Sequence, residues 1–290
     1  MRRTFCLLTV LGLLLSCFPV QGASLPVPES LSPADLLPCD AGEGKTEILP
    51  YATDYGEKEA LVYLPPAYDP EGAYPIFYWM HGGGETPYSF LNPARSMPLS
   101  NLLDHRITQG DVPPLILVCP TYDVPVNNPH YGAGVDTLTE QFPEELTRFL
   151  IPAVDASYAT IPDRLHRAFG GFSMGAVTAW YVFLQSLDAV SVFVPVSSDC
   201  WALGRRNGGC EEMADLLSDA AADEAPFRIY ALTGAHDFAM DPMRDQIENM
   251  EKREVFRHTL FFGLFPEGRH DRESAYTELD AVLSLLFPDS

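Results

Sequence analysis

Two stretches of the chain bring together groups that could react. Residues 171–175 read Gly-Phe-Ser-Met-Gly, a G-x-S-x-G pattern that sets Ser173 between the apolar stretch RAFGGF and a helical stretch opening at Met174. A serine on so sharp a turn from strand to helix projects its hydroxyl outward, and the glycines let neighbouring backbone pass close by. The competing use of a serine at this place is to cap the helix with its side chain. Residues 80–85 read Met-His-Gly-Gly-Gly-Glu at the end of the apolar run YPIFYW. Upturned N–H groups of Gly83 or Gly84, together with that of Met174, would bind a developing oxyanion, the alternative being a plain glycine turn. His81 reads as structural.

An alkyl hydroxyl is a weak nucleophile at neutral pH, so Ser173 requires a base, and the base requires an acid to orient it. Downstream histidines are His236, His258 and His270. His270 lies in PEGRHD, between the last strand-like run and the last helix, where the base is expected; His258 opens a strand as an edge or surface residue. Asp237 follows the buried run IYALTG and is the expected acid. Asp241 is the second candidate, although Asp-Pro-Met also reads as a helix cap. The order serine, acid, histidine is the one used where the serine sits on such a strand-to-helix turn.

Residues so far apart meet only if several strands deliver their loops to one edge of a sheet. KTEILPYA, EALVYLP, YPIFYWM, LILVCP, RAFGGF, VFVPVS, RIYALTG and HTLFFGLF read as strands, several of them apolar throughout, as strands buried on both faces are. Helices alternate with them. Residues 139–157 carry one stripe of Phe142, Leu146, Phe149, Leu150, Ala153 and Val154, with Pro143 expected in the first turn and Pro152 at a bend. The helix from Met174 to Leu187 and a last one over about 272–287 complete the pattern. Alternation implies crossovers, hence an α/β domain over 41–290 with a mainly parallel central sheet and helices on both faces. Residues 199–222 read as a short acidic insertion over the carboxyl edge, and residues 23–40, rich in Pro and Ser, as a linker or extended arm outside the core.

Composition bounds the partners. With 18 Lys+Arg against 40 Asp+Glu the chain is strongly acidic, which argues against nucleic acid or anionic membrane surfaces. At the N-terminus, MRR, an apolar run from Leu7 to Leu15 and the small-residue site VQGAS read as a signal peptide over residues 1–22. Export to the extracellular space or cell surface is therefore expected. LLSC offers Cys17 as a lipidation site, with Leu15 an imperfect match. Beyond it, Cys200 and Cys210 enclose the glycine-rich WALGRRNGG and are the expected disulfide; Cys119, in a buried strand, is expected to be a free thiol, and Cys39 is unassigned. No spacing points to a metal, and no cofactor is expected.

The segment DRLHRAFGGFSMGAVTAWYVF resembles the nucleophile region of the bacterial feruloyl and acetyl-xylan esterases, relatives of esterase D within the α/β-hydrolases. VYLPPAYDPEGAYPIFYWMHGGGE, CPTYD, LIPAVDASYAT and TGAHDFAMDPMRDQIENM extend the resemblance over most of residues 45–287. It implies an α/β-hydrolase fold with Ser173 as nucleophile, Asp237 as orienting acid and His270 as base. It also implies cleavage of ester-linked hydroxycinnamate or acetate from plant cell-wall polysaccharide. Two places depart from the family pattern: Asp271 stands where relatives often carry an aromatic residue, and SSDCW where they usually read Ser-Gly-Asp. Tyr122 and Trp201 are candidates for the acyl pocket, since flat rings stack on a hydroxycinnamoyl group. The expectation is a secreted serine esterase releasing ferulate or a related acid from arabinoxylan through an acyl-enzyme. Its rivals are an acetyl-xylan esterase, an antigen-85-like acyltransferase and a non-catalytic carbohydrate-binding protein that keeps the fold.

Overall fold

In the computed structural model each of the eight strand-like runs becomes a strand of one sheet, the inner ones buried throughout and the first, KTEILPYA, largely exposed. The structure describes residues 25, 31–204, 210–222 and 226–288. The expected signal peptide and the lipidation site at Cys17 lie outside the described residues. The strands are β1 (Lys45–Thr53), β2 (Gly56–Leu64), β3 (Ile76–Met80), β4 (Ile116–Cys119), β5 (Arg167–Phe172), β6 (Val192–Val196), β7 (Arg228–Gly234) and β8 (Leu260–Phe265). Their spatial order is β1-β2-β4-β3-β5-β6-β7-β8, parallel from β4 to β8, with β1 and β2 added antiparallel at one side. The parallel strands require crossover helices, which cover both faces.

Within each apolar run the side chains still alternate. Ile76, Tyr78 and Met80 of β3 join Phe169 and Phe193 in one core layer, whereas Phe77 and Trp79 join Ala168, Val192 and Val194 in the other. The first layer is closed by α2 (Val135–Glu145), α3 (Ile151–Ser157), α4 (Met174–Gln185), α5 (Glu211–Ala221) and α6 (Met240–Met250). The second is closed by α1 (Pro98–Gln109) and α7 (Arg272–Leu286). Among the described residues no helix is long and apolar enough to cross a membrane.

Several local expectations are corrected. The helix expected over 139–157 begins earlier, at Val135, so Pro143 lies in its interior; a π-turn over Leu146–Leu150 follows, and Pro152 opens α3. A proline removes one backbone donor, and the wider turn absorbs the misfit. Residues 23–40 are not wholly outside the core. Leu25 and Cys39 are buried, Asn101 Nδ2 donates to Leu36 O at 2.9 Å, and Arg106 joins Asp35 at 3.1 Å to Asp280 of α7 at 2.7 Å. Of residues 199–222, those described are 199–204, a loop following β6, and 210–222, which hold α5, the crossover helix between β6 and β7, whose Met213, Ala214 and Leu217 enter the core.

The expected Cys200–Cys210 bridge is absent. All four thiols among the described residues are free: Cys200 is buried, its N–H held by Gln246 Oε1 at 2.7 Å, whereas Cys210 stands half-buried at the start of α5. Burial pushes the Cys200 thiol up to about 12, and Cys119 is the buried free thiol expected.

One buried ion pair ties the antiparallel strands to the rest. Lys58 of β2, its side chain 3% exposed, donates to both carboxylate oxygens of Glu145 at 2.7 Å and to Thr121 O at 3.0 Å, and Tyr51 donates to the same carboxylate at 2.7 Å. Removing one partner strands a buried charge. Lys58→Ala is expected to cost about 3–5 kcal/mol of stability, and Lys58→Met with Glu145→Leu to recover most of that. Urea unfolding of the purified variants measures both, and a wild-type midpoint for Lys58→Ala would show that the cluster holds nothing.

Candidate active site

Ser173 is the single residue between β5 and α4. Its backbone sits at φ 57° and ψ −115°, a region that favours glycine, and its side chain makes no capping hydrogen bond to the helix. Capping is therefore not its use. The strain is held by a hydrogen bond from Ser173 N–H to Val196 O of β6 at 2.8 Å. The two flanking glycines are required by close approach. A methyl group on Gly171 would lie 2.6 Å from Met80 O, and one on Gly175 only 2.2 Å from the same oxygen. The end of β3 thus runs directly against the turn that carries the serine.

The three expected triad residues are brought together. His270 Nε2 lies 2.9 Å from Ser173 Oγ, and His270 Nδ1 lies 2.9 Å and 3.0 Å from the two oxygens of Asp237. The Asp237 carboxylate is fully buried and accepts a further bond from Ala239 N–H at 2.7 Å, which fixes its plane. With the Nδ1 proton donated to Asp237, Nε2 presents its lone pair to the serine hydroxyl, as a general base must. Asp241 takes no part: it is exposed and pairs with Arg244 at 2.7 Å. His258 is also exposed, and His236 contributes a backbone N–H to Gly268 O at 2.9 Å.

Two segments beside the serine turn could supply backbone donors. Met174 opens α4, where N–H groups lack partners and the helix dipole favours negative charge. In the glycine loop, Gly82 N–H is occupied by Glu85 Oε2 at 3.0 Å, and Glu85 N–H closes a turn onto Gly82 O at 3.3 Å. Of the two expected donors, Gly83 is the one beside the helix start: a methyl group on it would stand 4.0 Å from Met174 Cβ, while Gly84, at φ 75°, faces open space. Arg272 of α7 braces this loop through Glu85 at 3.4 Å. His81 is buried, as expected of a structural residue, with Nδ1 2.9 Å from Gly82 O and burial lowering its pKa.

The pocket residues fall differently. Tyr122 is not a stacking wall: it is 9% exposed, its hydroxyl meets Met174 O at 3.1 Å and Thr178 Oγ1, and its ring lies edge-on to His81. It props the start of α4 from beneath. Trp201 lies half-buried in the loop after β6, with Nε1 donating to Asp199 Oδ1 at 3.2 Å. The residue that sequence reading missed is Phe238. The residue is 77% exposed, and its ring centre lies 4.0 Å from that of His270, with Phe172 on the same imidazole at 4.8 Å. An aromatic residue directly after the acid, in AHDF, was the available signal. Asp271, where relatives often carry an aromatic, instead caps α7 by accepting from Ser274 N–H at 2.9 Å.

Comparison with known proteins places this geometry. The family model described as "Putative esterase" matches residues 56–261. Endo-1,4-beta-xylanase Y from Acetivibrio thermocellus is 34% identical over 247 residues, 82% of this chain, and the chain spans about a fifth (21%) of that relative's length. A serine-to-alanine mutant of the feruloyl esterase module from Clostridium thermocellum, solved with sinapinate, is 30% identical with a TM-score of 0.78, the match covering 91% of this chain and 94% of that one. The ferulic acid esterase of Anaeromyces mucronatus shares the fold at a TM-score of 0.70 and 17% identity, over 90% of this chain and 97% of that one. The chain belongs to the esterase family of the α/β-hydrolase superfamily that includes the feruloyl esterases, and it is a serine carboxylesterase.

Proposed function

We propose that this esterase is exported and releases ferulate or a related hydroxycinnamate from plant cell-wall polysaccharide, arabinoxylan above all, through an acyl-enzyme on Ser173. The observation that carries the reading is the hydrogen-bonded line Asp237–His270–Ser173 at the carboxyl edge of the sheet. Ser173 Oγ attacks the ester carbonyl as its proton passes to His270 Nε2, and Asp237 stabilises the imidazolium. The N–H groups of Met174 and Gly83 receive the charge on the carbonyl oxygen. Collapse of the intermediate transfers the proton to the leaving sugar oxygen, and water, activated by the same imidazole, then frees the acid and restores the serine.

The acyl preference is supported by relatives of the same family and by Phe238, an exposed ring held beside the base where the acyl group must approach. Export is supported by the leader-like residues 1–22.

Ser173→Ala is expected to lower kcat on p-nitrophenyl acetate by about 10⁵–10⁶-fold, leaving what binding and the oxyanion donors supply. Asp237→Asn is expected to lower it by about 10⁴-fold by favouring the wrong imidazole tautomer. Stopped assays with active-site titration by a fluorophosphonate check both, and near-normal turnover by Ser173→Ala would refute the assignment.

For the acyl group, Phe238→Ala and Trp201→Ala are compared on methyl ferulate and an acetate ester. Each ring that stacks on the substrate is expected to cost roughly 3–10-fold in kcat/KM on ferulate, with acetate little changed. Equal loss on both esters would show that the ring only packs.

A further inference from the structure

The reaction described above leaves one carboxyl group beneath it unused. Glu278 lies on the inner side of α7, fully buried, and neither of its oxygens meets a hydrogen-bond partner among the described residues. It sits against the loop that carries the base. A methyl group on Gly268 would lie 2.9 Å from Glu278 Oε1, and one on Gly234 would lie 2.1 Å from the Gly268 carbonyl carbon. Helix, base loop and acid loop are thus stacked in contact through Glu278, Gly268 and Gly234. The two loops are also joined by backbone bonds, His236 N–H to Gly268 O at 2.9 Å and Ala235 N–H to Phe265 O at 2.8 Å.

The surroundings are hostile to a negative charge. Burial, reinforced by the charges of Asp237 and Asp271, pushes the Glu278 carboxyl up to about 9. Cations of the elements packed here are engaged elsewhere. Arg272 stands beside Glu85, Arg106 pairs with Asp280, and Arg228 of β7 donates to the carbonyls of Leu285 and Leu286 at the far end of α7. Tyr230 of β7 also donates to Leu285 O, β6 and β8 carry no ionisable residue, and Arg167 of β5 pairs with Asp155. Of the loop residues, Glu267 and Arg269 are exposed, and His236 and His270 complete the titratable set.

We propose that Glu278 is a positioning residue for the acid–base pair: its uncharged carboxyl group, seated against Gly268, keeps the Asp237 and His270 loops in register, and its ionisation loosens them. The uncharged form serves the reaction in a second way. A charged Glu278 would set a further carboxylate against the acid–base pair; the neutral acid adds none. In alkaline solution the new anion, facing Asp237 and Asp271, requires water or outward movement of the loop, and kcat falls.

The inference rests on Asp237 and His270 acting as acid and base, which Asp237→Asn tests separately. Its own test is the pH profile of Glu278→Gln against wild type on p-nitrophenyl acetate. The glutamine keeps the shape and cannot ionise. The acid limb is expected to coincide in the two enzymes, and the alkaline limb of kcat to move upward in the variant by about one pH unit or more. The native chain keeps a proton that the unfolded chain loses, so wild-type stability falls relative to the variant as pH rises from about 4.5 to about 9, and the difference then levels off. Coincident alkaline limbs would overturn the inference, as would an acid limb that moves down in the variant, which would mean a charged Glu278 in the working enzyme. Should Glu278→Gln not fold, infrared titration of the wild-type protein decides. A carboxylic-acid band present at neutral pH and lost around pH 9 is expected, and its absence at neutral pH overturns the inference.

Discussion

The site depends on one close crossing of backbone. Where β3 ends, the carbonyl of Met80 lies against the turn between β5 and α4, too close for any side chain at residue 171 or 175. That contact fixes how far the nucleophile stands from the glycine loop that follows Met80. It also forces Ser173 into a backbone conformation that a free chain avoids, held in place by Val196 of the next strand. Serine and oxyanion donors are therefore positioned by the sheet itself. The parallel pairing of β3, β5 and β6 is what makes the geometry reproducible from molecule to molecule.

The acid and base come from a second crossing, built the same way. Gly234 at the end of β7 meets Gly268 after β8, and the loops beyond them carry Asp237 and His270. Two glycine crossings, one for the nucleophile and one for its partners, bring together residues almost a hundred positions apart. The imidazole between them is clasped by Phe172 from one crossing and Phe238 from the other.

Much of this was legible because each feature has a local cause. The eight strand-like runs became eight strands, and the inner ones, buried on both faces, need no long-range information to be recognised. The triad was legible because its members follow strand ends in the order the topology requires. What escaped is tertiary in origin. Leu25 and Cys39 look like part of a loose arm until Gly263 of β8 and Thr108 of α1 supply neighbours for them. Cys200 and Cys210 looked paired by spacing alone, yet one thiol turns into the core and the other stays at a helix start. Tyr122 was read as a wall and is a prop, because an aromatic residue in a loop announces its ring but not its direction. Glu278 was invisible for a similar reason: a glutamate just off the apolar stripe of a helix reads as solvated until the neighbouring loop closes over it.

Helix α7 does more than close a core layer. Its cap follows the base, its first turn braces the glycine loop through Glu85, its second turn carries Glu278, and Asp280 joins it to Arg106 and so to the arm at Asp35. Four attachments on one helix tie the base loop, the glycine loop and the arm to one another. Detachment of this helix would carry the base loop away while the strained serine kept its place between β5 and α4, so a local opening would be enough to silence the site.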